Sequence, residues 1–103
     1  MSLSTHVLDA VAGRPAAGVR VVLEQRNGDG WAERADRLTD DDGRIKDLAA
    51  ATEKGTYRLR FDVDAYSTFF PEVVVVFRVS DPTAHHHVPL LLSPYSYSTY
   101  RGS

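Results

Sequence analysis

Cysteine is missing from this chain of 103 residues, so no disulfide framework holds it together, and that usage fits a reducing compartment. Long apolar runs are missing too. The longest, VVVVF at 73–77 and VPLLL at 88–92, fall far short of a bilayer-spanning helix. The opening MSLSTHVLDA carries neither the basic segment nor the apolar stretch of a secretory signal. These absences predict a soluble, cytoplasmic protein without a membrane partner. Charge of one sign is not in excess either: 12 Lys and Arg against 14 Asp and Glu leave a formal net charge of -2. The charges are interspersed, so there is no basic footprint for a nucleic-acid backbone, and no nucleic-acid partner is expected. There is also no Gly-x-Ser-x-Gly elbow and no phosphate-cradling glycine loop, so covalent catalysis is not indicated.

What remains is enough for one compact domain spanning residues 1–103. A single core of that size is marginal, which favours tight packing or self-association. In GVRVVLEQR, Val19, Val21 and Leu23 share one face of an extended segment, with Arg20 and Glu24 on the other. TYRLRFDV alternates more cleanly, Tyr57, Leu59, Phe61 and Val63 against Arg58, Arg60 and Asp62. EVVVVFRVS places Val73, Val75, Phe77 and Val79 against Val74, Val76 and Arg78, which reads as a strand covered on much of both faces. Turn signals separate these runs: NGDG at 27–30, DDDG at 40–43, Gly55, FFPE and SDPTA. The pattern predicts an all-β sandwich. Two segments have helical character. DLAAATEKG could equally be a turn or loop, and DAYSTFF before Pro71 suits one short helix between strands.

Three consecutive histidines open HHHVPLLLS. On a strand, His85, His87, Pro89 and Leu91 share one face, and His86, Val88, Leu90 and Leu92 the other. The apolar set belongs to the core, so His85 and His87 face outward. Pro89 strains this assignment, since it lacks a ladder donor and prefers an edge or a bulge. Three residues in mid-sequence are too few for an affinity tag, and a polar strand face is the ordinary reading. A zinc site needs three or four ligands; His85 and His87 supply two and the sequence names no third. LTDDDGRIKDLA puts Asp40, Asp42 and Gly43 at calcium-loop spacings but has Leu38 and Ala49 where acidic ends are needed, so a solvated turn fits better. No metal is expected. Histidine is the natural general base near neutral pH, and arginine can hold an anion or a developing oxyanion. Composition alone does not choose the pair.

Four segments, STHVLDAVAGRPAAGVRVVLE, TDDDGRIKDL, GTYRLRFD and the terminal HVPLLLSPYSYSTYRGS, span nearly the whole chain. In that order they resemble the transthyretin-like family of 5-hydroxyisourate hydrolases. The terminal Tyr-Arg-Gly-Ser is the sharpest mark of the hydrolases as against the hormone carriers. The resemblance implies a two-sheet sandwich of about eight strands with one short helix. It implies a homotetramer with sites in a channel at the dimer–dimer interface, where the strand bearing His6 lies beside that bearing His87. It assigns His6, Arg44 and His87 as catalytic, and His6, Arg44, Tyr100 and Ser103 to substrate binding. The small-molecule substrate would be 5-hydroxyisourate, opened by hydrolysis of a cyclic amide in urate breakdown, with no cofactor. Tyr100, at the end of a final strand expected to run through it, would fill space that a bulky hormone needs. Two positions depart from the family pattern: His86, where an aromatic such as tyrosine is usual, and Ser96, where the hydrolases often have glycine and transthyretin has serine. A ligand carrier of transthyretin type is the alternative.

Overall fold

A computed structural model describes residues 2–50 and 53–103. Ten strand segments follow the chain: β1 (Ser2–Asp9), β2 (Arg14–Pro15), β3 (Arg20–Asn27), β4 (Gly30–Leu38), β5 (Arg44–Ala50), β6 (Gly55–Asp62), β7 (Glu72–Val79), β8 (His85–His87), β9 (Leu90–Leu92) and β10 (Tyr97–Thr99). They form two sheets. One runs β4-β3-β6-β7; the other is centred on β1, with β9 and then β10 on one side, β2 on the other, and β5 and β8 also paired to β1. The inward rows predicted from alternation meet between the sheets: Val21 and Leu23 of β3, Tyr57, Leu59 and Phe61 of β6, and Leu90 and Leu92 of β9 are fully buried. Their apolar area is the main source of stability in a fold that no disulfide supports.

Three expectations change. Among the described residues there is no helix. The segment DAYSTFF is a turn, because Ser67 Oγ accepts from Phe70 N at 3.2 Å while Phe69 N donates to the Pro94 carbonyl at 2.9 Å. Tyr66 N and Ser67 N both donate to the Val63 carbonyl at 2.9 Å, a single turn that goes no further because Phe69 N is bonded instead to the turn before β10. The alternative helix, DLAAATEKG, begins as strand β5, and its residues 51 and 52 lie outside the described residues. The outer row of β7 is open, with Val74 and Val76 at 41% and 55% exposure, since none of the described residues covers the outer face of this edge strand.

The third change is at the terminus, where Pro89 has a visible effect. It divides the histidine strand into β8 and β9 and also ends β10 at Thr99 rather than at Tyr100. Thr99 pairs with Leu90, so the next rung would fall on Pro89, which has no N–H to give. Thr99 Oγ1 instead donates to the Pro89 carbonyl at 2.8 Å. The ladder resumes in the same register two rungs beyond, where Gly102 bridges His87 and Gly102 N donates to the His87 carbonyl at 2.8 Å.

Candidate active site

Strand β1 organises the outward face of the second sheet. His6 lies opposite Arg44 of antiparallel β5, and Ser4 lies beside His87 of parallel β8. His6, Arg44 and His87 therefore come together from three segments, and they do so through backbone pairing. Between Leu3 and Thr5 the β1–β5 register shifts, because Lys46, Asp47 and Leu48 span the rung that Ser4 alone occupies on β1. Bulges of this kind re-aim side chains and gather near active sites. Here Ser4 and Lys46 join Arg44, His85 and His87 around a shallow depression of about 150 Å³. Ser4 and Lys46 were not singled out from the sequence, and His85 was weighed there only as a zinc ligand. Outward alternation of Ser2, Ser4 and His6 could have suggested Ser4, but the bulge that admits Lys46 has no signature in the residues.

The DDDG turn positions both His6 and Arg44. Asp40 Oδ1 accepts from Asp42 N and Arg44 N, each at 2.9 Å, and those bonds hold the Asp40 carboxyl below its usual range. Gly43 has φ 72°, and a Cβ there would meet the Val7 carbonyl oxygen at 2.4 Å, so this turn requires glycine. The turn presents the Asp42 carbonyl to His6, whose Nε2–H donates to it at 2.9 Å. A carbonyl only accepts, so neutral His6 carries its proton on Nε2 and its lone pair on Nδ1.

His87 is half-buried. Its Nδ1 is 2.7 Å from Ser4 Oγ, and Ser4 Oγ is 3.0 Å from His85 Nε2; His85 Nδ1 meets Ser2 Oγ. Burial lowers the His87 pKa below its ordinary value, and the positive fields of His85, Arg44 and His6 lower it further, against the opposing effect of the Ser4 backbone as acceptor. The protonated form of this imidazole is therefore disfavoured beside the permanent charge of Arg44. His86 turns inward and is buried, with Nδ1 bonded to the Ala84 carbonyl at 3.2 Å, as the strand phase predicts. His85 and His87 come nearest to a metal pair, but the Ser4 hydroxyl lies between them, and among the described residues no group of three or more His, Asp or Glu is disposed around a cation.

Tyr100 and Ser103 are not brought into this depression within one subunit. Tyr100 is 60% exposed and borders a separate, mostly apolar hollow of about 220 Å³ with Val75, Phe77, His86 and Val88. Ser103 is exposed. Gly102 lies against the site: a Cβ there would stand 2.5 Å from His87 Cδ2.

Two sheets of this topology, with imidazoles and a guanidinium set on an outward face around a central strand, define a transthyretin-like sandwich. The sea bream transthyretin structure in complex with thyroxine superposes with a TM-score of 0.91 at 35% identity, covering 99% of this chain and 95% of that one. The Klebsiella pneumoniae 5-hydroxyisourate hydrolase gives a TM-score of 0.87 at 34% identity over the full length of both. The 5-hydroxyisourate hydrolase of Salmonella dublin is 50% identical over 109 aligned positions, covering 98% of this chain and 80% of that one. The model of the HIUase/Transthyretin family matches residues 3–102, and the chain belongs to that family.

Proposed function

We propose that this protein is a hydrolase of the 5-hydroxyisourate branch of its family, opening the substrate ring in urate breakdown to give 2-oxo-4-hydroxy-4-carboxy-5-ureidoimidazoline. The observation that carries the reading is the convergence of His6, Arg44 and His87 on one outward face, with the His87 pKa lowered by burial and by charges that include Arg44. A carrier of an apolar hormone gains nothing from desolvating such groups.

His87 is the general base: it takes a proton from water as the water oxygen attacks the carbonyl of the cyclic amide. Arg44 stabilises the negative charge that develops on the carbonyl oxygen, and Lys46, lining the same depression, adds to that field. The ring C–N bond then breaks, and the leaving nitrogen receives the proton from His87. His6 binds the substrate edge through Nδ1, its Nε2–H being held by the Asp42 carbonyl. No cofactor enters these steps.

The depression is shallow and open in a single subunit, and the outer face beside it carries half-buried Leu8 and Leu91. A homotetramer that stacks this face on a second copy would close the site at the dimer–dimer interface and bring Tyr100 and Ser103 to it from the terminus. The setting is the cytoplasm. Mixing the protein with freshly generated 5-hydroxyisourate and following the ultraviolet decay tests the proposal. Decay no faster than in buffer refutes it, and tight binding of an iodinated aromatic without turnover would favour the carrier.

A further inference from the structure

Serine 4 touches two imidazoles at once, and a hydroxyl has only one proton to give. Its Oγ lies 2.7 Å from His87 Nδ1 and 3.0 Å from His85 Nε2. If Ser4 donates to one ring, the other ring must donate to Ser4. The protonation of the two histidines is therefore linked through a single side chain, which the pairing of Ser4 with His87 on parallel strands holds in place. Ser4 is itself buried, so water does not readily take over either bond.

The cations around the depression choose between the two arrangements. Among the described residues no group bonds His87 Nε2, whereas Arg44 and Lys46 line the same hollow as this ring. Neither cation can accept a hydrogen bond. A lone pair on Nε2 is favoured in their field and an N–H dipole pointing into it is not. From this arrangement we propose that Ser4 and His85 are positioning residues that lock His87 as its Nδ1–H tautomer: His87 Nδ1–H donates to Ser4 Oγ, Ser4 Oγ–H donates to His85 Nε2, and His85 Nδ1–H donates to Ser2 Oγ. Both ring N–H groups and the Ser4 hydroxyl then have an acceptor, and Nε2 of His87 is left basic.

This refines the hydrolase reading and rests on it for its catalytic consequence. Free histidine favours the opposite tautomer, with the proton on Nε2, and that form has no lone pair to offer a water in the depression. Losing the Ser4 hydroxyl should return His87 to that form. When His87 takes a proton during turnover, its Nδ1–H bond to Ser4 becomes charge-assisted and shortens rather than breaking.

Nitrogen-15 NMR of the histidine rings reads the tautomer directly, without substrate. The wild-type protein above the His87 titration should show His87 protonated on Nδ1. Ser4→Ala should move the proton to Nε2 and lower kcat by roughly 10- to 100-fold, the size usual when the partner fixing an imidazole is lost, with KM and assembly little changed. Ser4→Thr, which keeps the hydroxyl, should restore both tautomer and rate. His85→Phe should free the Ser4 proton for His87 Nδ1 and give the Ser4→Ala tautomer while Ser4 is still present. An Nε2–H tautomer in the wild type, or an unchanged tautomer and kcat in Ser4→Ala, overturns the proposal. A tautomer switch in Ser4→Ala, together with no turnover of 5-hydroxyisourate by the wild type, would instead refute the hydrolase reading and leave the coupling standing.

Discussion

Replacing Gly102 with alanine should disable His87 without unfolding the protein. The added methyl carbon would stand 2.5 Å from His87 Cδ2, 3.3 Å from Cγ and 3.4 Å from Cβ. Carbon atoms in contact settle at about 3.5–4.0 Å, so a gap of about 1 Å must open. Backbone strain does not contribute, because Gly102 is not among the glycines with positive φ and alanine can adopt its conformation. The correction must come from the ring or from the tail. Turning the ring stretches its 2.7 Å bond to Ser4; moving the tail breaks the 2.8 Å bond from Gly102 N to the His87 carbonyl. Both routes release the base from its fixed direction. A ring pushed about 30° off its rotamer costs about 0.5–1.5 kcal/mol in stability, whereas a misplacement of about 1 Å in a reacting group can cost about 100-fold in rate. The expected result is a Tm lowered by only a few degrees, by roughly 4–8 °C per kcal/mol in a domain of this size, with turnover of 5-hydroxyisourate reduced roughly 100-fold. Thermal melting and ultraviolet decay, measured on the same preparation, separate the two. Wild-type turnover in Gly102→Ala would show that this contact does not position His87.

Alanine at Arg44 or His87 should lower the catalytic step by roughly 100-fold or more, in the range of acid–base and oxyanion groups, while His86→Ala, which empties a core position, should lower Tm and leave turnover near wild type. The pH profile of kcat/KM should keep its plateau to below pH 6.5, the ordinary histidine value, because burial first and then His85, Arg44 and His6 hold His87 neutral; activity is lost as pH falls through the depressed His87 pKa. Arg44→Gln removes one of those positive fields and should move that acid limb upward. Val76→Asp on the open row of β7 should yield a smaller species by light scattering if that edge joins subunits, and a mass unchanged from wild type would exclude β7 from the interface.

Alternation made the inner faces of β3, β6 and β7 and the phase of the histidine strand legible, because burying one face of a sheet imposes a period of two on the residue types. It could not reveal β4. That strand buries only Ala35 of its nine residues, and its outer partners are polar pairs such as Arg20 with Asp36 at 2.6 Å, so no apolar row marks it. The segment before Pro71 misled for a related reason: its aromatics suited a helix pinned to a sheet, but Tyr66 OH donates across the fold to the Ala17 carbonyl at 2.6 Å and Phe70 stacks edge-on to Tyr97 at 5.0 Å. Long-range contacts settle such a turn, and they leave no local pattern. His6, Arg44 and His87 were reachable only through the resemblance, since nothing in their spacing brings residues 6, 44 and 87 together. Parallel pairing of β1 with β8 and antiparallel pairing with β5 does that.

The cationic setting of His87 also bears on how one imidazole serves both halves of the proposed reaction. A depressed pKa makes His87 a weaker base, which by itself slows removal of a proton from water. The same field falls on the carbonyl oxygen, where Arg44 stabilises the charge that appears as the water attacks, so the cost at the base is offset at the oxyanion. Once His87 has taken the proton, it is an imidazolium in the field of Arg44, and a like charge close by makes it a stronger acid than free imidazolium. It is then well matched to protonate the leaving ring nitrogen. Arg44 therefore acts on the proton before and after the attack as well as on the oxyanion, and replacing it should slow bond cleavage as well as water attack.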